Sequence, residues 1–231
     1  MINKKTTVST ALAKLTNGSV VMVGGFGVPG TPFKLINGVL ESGATELTLI
    51  KNEANEAGLG ISLLLEAGRV QQLITSHLGL NSVAITMMNN KEIEVAFFPQ
   101  GILAEKIRAG GAGLMAIITD IGINTILRRE EDVIRLYGRE GMIEPALRAD
   151  IALVHAAKAD RAGNLVYEKS ARNFNPLMAT AADLVIAEAE TIVEIGEIPP
   201  DQVHTPGAFV DYVVPIGKLL PEYGVLQHHV R

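Results

Sequence analysis

Two hydrophobic rhythms take turns along this chain. Short runs rich in apolar and β-branched residues occupy 20–23, 47–51, 70–76 and 93–98, which predicts buried strands. Between them the apolar residues recur at helical spacing. A helix is predicted over 8–15 behind Thr6 or Thr7, with Ala11, Leu12 and Leu15 on one face. Further helices are predicted over 32–41, stopped near Gly43, over 61–67, stopped at Gly68, and over 101–108, ending at Gly110-Gly111. Strand and helix in regular alternation imply βαβ units with right-handed crossovers.

The middle of the chain changes character. Residues 132–137 and 142–147 flank Gly138-Arg139-Glu140-Gly141, which reads as a hairpin with a four-residue turn. Buried strands resume at 151–156, and 165–167 follow a Gly163-Asn164 turn. A helix over 175–182 starts with Pro176 as its first residue, and strands at 183–187 and 191–195 close the sheet. The expected fold is α/β: a mostly parallel open sheet flanked by helices, with a small antiparallel hairpin insertion. No repeat or linker divides it, so residues 1–231 are expected to form one domain.

Composition narrows the function. The chain is 48% apolar with a positive mean hydropathy, enough for a large core and a buried subunit interface. Aromatics make up only 4%, so that core is aliphatic. The absence of cysteine removes disulfides, thiolate metal sites and cysteine nucleophiles. A net charge of −5 with interleaved signs argues against nucleic acid as a partner. No apolar run approaches the roughly 18 residues of a membrane span. Residues 1–7 lack the apolar stretch of a secretory signal, so a cytoplasmic protein is expected.

The most informative run is Asn17-Gly18-Ser19-Val20-Val21-Met22-Val23-Gly24-Gly25-Phe26-Gly27-Val28-Pro29-Gly30-Thr31-Pro32. An apolar strand ends in adjacent glycines, and a helix follows within ten residues. Gly24 and Gly25 lack the Cβ atoms that would block a ligand or a neighbouring backbone. Thr31 is placed to cap the next helix, with Pro32 at its first position. Such a turn offers backbone N–H groups to phosphate, carboxylate or a thioester oxygen. Gly25 to Gly30 also fits G-x-G-x-x-G. Against a dinucleotide loop, Pro29 removes a donor and 47–51 end in a lysine where a ribose-binding acid would stand. A turn that is merely tight for packing remains an equal alternative.

The pattern N-G, apolar strand, G-G-F-x-x-x-G-x-P resembles the signature of the alpha subunit of family I (3-oxoacid) coenzyme A transferases. Three further blocks follow in the family's order. They are Pro99-Gln100-Gly101-Ile102-Leu103-Ala104 with its Gly110-Gly111-Ala112-Gly113 end, then Ser170-Ala171-Arg172-Asn173-Phe174-Asn175-Pro176, then Pro200-Asp201-Gln202-Val203-His204-Thr205-Pro206-Gly207. The chain is most similar to alpha subunits of the acetate/acetoacetate and succinyl-CoA:3-oxoacid types.

The resemblance implies transfer of coenzyme A between a short-chain acyl-CoA or 3-oxoacyl-CoA and a carboxylic acid. It implies ping-pong kinetics through a glutamyl-CoA thioester. That glutamate lies in an S-E-N-G-type block of the family's beta subunit, and no such block occurs here. Glu53 and Glu56 come nearest and read as solvated loop carboxylates; Glu105 is a third fallback. The chain is thus expected to be half an enzyme, completed by a beta subunit, as an α2β2 tetramer by resemblance. Coenzyme A enters as substrate, with no permanently bound cofactor and no metal.

By the same resemblance Gly24, Gly25, Phe26, Gly27, Val28, Pro29 and Gly30 contact coenzyme A, and Gln100 lies near the reacting thioester. Gln100 follows directly on a strand, where open α/β sheets place ligands, and its neutral amide can donate to an oxyanion. A simple helix-capping role is the alternative. Asp120, in Thr119-Asp120-Ile121-Gly122, stands where the family usually has proline. His204 reads as a hydrogen-bonded turn residue, His77 and His155 as structural, and His228-His229 as a weak metal candidate. Arg172 and Asn173 either bind phosphate or stabilise a turn. A nucleotide- or sugar-phosphate-binding domain of an isomerase or ligand sensor shares this architecture and is the rival reading.

Overall fold

The computed structural model describes residues 3–217 and 221–224. Its first half is a series of strand–helix units: α1 (Val8–Ala11), β1 (Val20–Val23), α2 (Phe33–Ser42), β2 (Leu47–Ile50), α3 (Ser62–Glu66), β3 (Val70–Thr75), α4 (Ser82–Asn89), β4 (Glu94–Phe97) and α5 (Gln100–Gly111). A small antiparallel unit follows, made of β5 (Ala116–Thr119), β6 (Val133–Leu136) and β7 (Arg139–Pro145). The chain then returns through β8 (Ala149–Asp160), β9 (Leu165–Val166), α6 (Asn175–Met178), β10 (Ala182–Val193), β11 (Tyr212–Pro215) and α7 (Pro221–Gly224).

The main sheet runs in the order β11-β10-β8-β1-β2-β3-β4, with every pair along that path parallel. β9 adds an antiparallel pairing to the far half of β8. Because successive strand side chains point to opposite faces, β1 serves two cores. Val21 and Val23 join Leu35, Ile36, Leu49 and Leu65 on one face, while Met22 joins Leu103, Ile107 and Met178 on the other. Each such fully buried aliphatic side chain stabilises the fold by roughly 1.5–3 kcal/mol. α2 stops because Gly43 enters the left-handed region at φ 77° and its N–H closes on Leu40 O. α4 starts where Asn81 Oδ1 accepts from Ala84 N at 2.9 Å.

Several sequence expectations need correction. The first helix stops at Ala11, and Ala13 and Leu15 donate three residues back in separate turns. The hairpin turn is two residues, with Leu136 facing Arg139 and both Tyr137 (φ 51°) and Gly138 (φ 77°) left-handed, the geometry that suits strand twist. The insertion is a three-stranded sheet with β7 in the middle. Lys106 Nζ on α5 fastens it by a buried 2.7 Å bond to Glu144 on β7. The two closing strands are one, β10, paired with β8 from Ala182↔Ala149 to Val193↔Asp160. α4, β5, β11 and α7 form where the apolar pattern predicts no element. Among the described residues no helix is long and apolar enough to cross a membrane.

Candidate functional site

The glycine turn leaves β1 at the carboxyl end of the sheet, and neighbouring segments hold it by its carbonyl groups. Gly24 N still pairs with Leu153 O at 2.9 Å, so the turn starts as an extension of the strand. Thr31 Oγ1 donates to Gly27 O at 2.7 Å, and Asn55 Nδ2 donates to the same oxygen at 2.8 Å. Asn173 Nδ2 reaches Pro29 O at 2.9 Å and Asn175 Nδ2 reaches Gly30 O at 3.0 Å. With the carbonyls engaged, the N–H groups of Gly27 and Val28 find no acceptor among the described residues. Phe26 is exposed beside them. The turn therefore leaves two backbone donors without a partner among the described residues, the groups that an anion or carbonyl oxygen can use.

The glycines answer to the chain's own packing first. A Cβ on Gly24 would collide with the Asn175 side chain, one on Gly25 with Thr31, and one on Gly30 with Ala171 O. Gly25 also sits at φ 101°. Gly27 differs: its Cβ would meet only Pro29 Cδ, at 3.9 Å. The space beside Gly27 is thus open, while Gly24, Gly25 and Gly30 keep space for the chain. Thr31 does not cap α2. That place falls to Pro32, which has no side-chain bond, and the Thr31 hydroxyl is spent inside the turn.

Beneath the turn lies a buried polar segment. Lys51, Asn52, Glu53, Ala54 and Asn55 follow β2 and are all buried. Lys51 Nζ pairs with Glu53 Oε1 at 2.9 Å and donates to Gly24 O and Thr31 Oγ1, each at 3.2 Å. Its burial lowers its pKa, while the charge and hydrogen bond of Glu53 hold it up. Glu53 is therefore not a solvated loop carboxylate; a buried ammonium claims it. Glu56 is exposed as expected, and Glu105 is half-exposed and paired with Arg108 at 2.9 Å. A run of polar residues directly after an apolar strand was the available signal.

Gln100 opens α5 behind Pro99. Its side chain makes no cap; Nε2 donates to Asn52 Oδ1 at 2.8 Å, while Asn52 Nδ2 donates to Glu53 Oε2 at 2.7 Å. Two regions separated by 48 residues in sequence thereby meet at the carboxyl ends of β2 and β4. Gln100 itself remains exposed, with its second amide hydrogen available to a ligand.

The other candidates fall outside this cluster or in supporting roles. Asn173 stabilises its turn by donating to Ser170 O and Pro29 O, and Arg172 is exposed. His204 Nδ1 accepts from Tyr167 N at 3.0 Å, and burial, with Arg172 nearby, lowers its pKa. His77 Nδ1 lies 2.9 Å from Ser76 Oγ. His155 is buried between Glu188 (2.9 Å) and Glu190 (3.1 Å); burial pulls its pKa down, but those two carboxylates outweigh it and raise it to about 9. Asp120 pairs with Arg139 on the small sheet. His228-His229 lie outside the described residues. Among those described, no three His, Asp or Glu side chains are grouped to hold a metal ion.

The family model described as coenzyme A transferase matches residues 5–215. The chain is 50% identical over 212 residues to a probable coenzyme A transferase subunit alpha of Bacillus subtilis, covering 91% of this chain and 93% of that one. It is 42% identical over 214 residues to the acetate CoA-transferase subunit alpha of Escherichia coli, covering 93% and 97%. Its fold superposes with TM-score 0.83 on an acyl-CoA transferase of Escherichia coli O157:H7 solved as a thioester complex with CoA. That match is at 21% identity and covers 93% of this chain and 47% of that longer one.

Proposed function

The chain belongs to the coenzyme A transferase family, and we propose that it is the alpha subunit of a heteromeric enzyme moving coenzyme A between short-chain acyl-CoA or 3-oxoacyl-CoA and a carboxylic acid. In this reading residues 1–231 act as one domain and work in the cytoplasm with a beta subunit, as α2β2. The partner supplies a glutamate whose carboxylate attacks the thioester carbonyl. The CoA thiolate leaves, an acyl-glutamyl anhydride forms, and the thiolate then attacks the glutamyl carbonyl to release the first acid. The acceptor acid reverses the sequence.

This chain's part is binding and oxyanion stabilisation. The Gly27 and Val28 N–H groups receive polar atoms of coenzyme A, with Phe26 against its apolar portions. The Gln100 amide donates to the carbonyl oxygen as negative charge develops there. A neutral donor stabilises that charge without trapping the anionic nucleophile as an ion pair. The observation that carries the reading is the junction of the glycine turn with Gln100 through the buried Lys51, Asn52 and Glu53. Glu53 is engaged in that junction, which supports a nucleophile from elsewhere.

The test is reconstitution. The purified chain is incubated with acetoacetyl-CoA and acetate, then a candidate beta chain is added. Transfer is expected only after mixing, with borohydride trapping a glutamyl thioester on the beta chain. Robust transfer by this chain alone would overturn the proposal.

A further inference from the structure

A polar thread runs from the glycine turn to Gln100, and the chemistry of its members fixes its direction. The Ser76 hydroxyl, 3.2 Å from Asn52 Oδ1, can donate or accept and so sets none. Lys51 carries three N–H donors and spends them on Gly24 O, Thr31 Oγ1 and Glu53 Oε1. The side chain is wholly buried, so each of those acceptors offsets a desolvation cost. Glu53, held against that ammonium, is a carboxylate that accepts only. Its other oxygen, Oε2, must therefore face the nitrogen end of Asn52, as it does at 2.7 Å. The oxygen end of Asn52 then faces Gln100, which can answer only with its Nε2, at 2.8 Å.

We propose that the buried Lys51–Glu53 pair is a positioning device: through Asn52 it dictates which end of the Gln100 amide faces the reacting carbonyl. The inference rests on the reading of Gln100 as the oxyanion donor and adds what aims it. Without a fixed carboxylate, the Asn52 amide can turn over and offer Nδ2 to Gln100. Gln100 would then answer with Oε1, placing an oxygen lone pair where an N–H stood, and that lone pair repels a developing oxyanion. The exposed amide of Gln100 owes its direction to groups it never touches. Because Lys51 also bonds Gly24 O, the same pair ties the seat of the turn to the aim of the donor, so that the two sides of the site share one brace.

The experiment uses the assembled two-chain enzyme and steady-state kinetics with acetoacetyl-CoA and acetate. Glu53→Gln keeps volume but lets position 53 donate. It is expected to lower kcat by about 10-fold or more while KM for the acyl-CoA moves less than about threefold, the signature of a loss confined to the transition state. In the Glu53→Gln, Gln100→Ala double variant, kcat should fall no further than in Gln100→Ala alone, because both changes remove one function. If Glu53→Gln unfolds because Lys51 loses its partner, Lys51→Met with Glu53→Gln replaces the pair by neutral residues of similar size, a change that is often tolerated. The same loss of kcat is expected there, with a melting temperature near that of the parent. A folded variant with parental kcat, or losses that multiply with Gln100→Ala, overturns the positioning role while leaving Gln100 as donor. Parental kcat in Gln100→Ala itself defeats both readings.

Discussion

Asn175 occupies the space that a side chain at Gly24 would need. Its Oδ1 accepts the His155 N–H at 3.0 Å, and its Nδ2 donates to Gly30 O at 3.0 Å and Ala171 O at 2.9 Å. One buried amide thus joins β8, the glycine turn and the segment before α6. The first glycine of the turn exists to admit it.

Asn175→Ala should therefore destabilise the protein by about 2–4 kcal/mol, since the His155 N–H and the Gly30 carbonyl each lose a buried partner. Gly24→Ala alone should cost about 1–3 kcal/mol by overpacking. In the double variant the new methyl enters the vacated space, so the combined cost should fall short of the sum. Urea denaturation of all three variants checks this.

At Gly25 packing decides, because a Cβ there would collide with Thr31. Gly25→Val would place a branched side chain at φ 101° against Thr31. Strain and overpacking together should cost about 2–6 kcal/mol, so the variant loses folding along with any activity. Gly27→Asn is the cleaner probe of ligand approach, because φ there is 60°, a region asparagine tolerates, and the space is open. Its melting temperature should change little while KM for acyl-CoA rises several-fold. An unchanged KM would show that coenzyme A does not approach Gly27.

Gln100→Ala should lower kcat on the order of 100-fold with a smaller change in KM, the usual scale for losing one oxyanion donor. Stability should change little, because Gln100 is exposed and makes no helix cap, and Asn52 Oδ1 keeps the Ser76 hydroxyl at 3.2 Å. Steady-state kinetics beside a thermal melt separate the two effects.

His155 makes stability depend on pH. Its pKa rises from 6.5 to about 9 because Glu188 and Glu190 on β10 face its ring; Tyr223, which donates to Glu188, packs on the same ring. Below pH 6.5 the imidazole is protonated in both folded and unfolded chains, and its contribution is complete. Between 6.5 and 9 the unfolded chain sheds the proton first, so this part of the stability declines as pH rises and is gone above 9. Unfolding free energies across that window should fall in the parent and flatten in His155→Gln.

The sequence by itself determined the parallel half of this protein. β1, α2, β2 and β3 fall within a residue or two of their predicted bounds, because each is a local apolar pattern closed by a glycine or a polar turn. The position of Gln100 at a strand's carboxyl end was legible for the same reason. β10 was not, because Glu188 and Glu190 interrupt its apolar pattern. Their place in the strand follows from His155, 33 and 35 residues away on the neighbouring β8. Glu53 looked solvated because nothing in Asn52-Glu53-Ala54-Asn55 shows that the sheet order β8-β1-β2 folds the glycine turn over it. Periodicity records which face of an element is buried. The partner of a buried polar group depends on which strands lie side by side, and only the tertiary structure decides that.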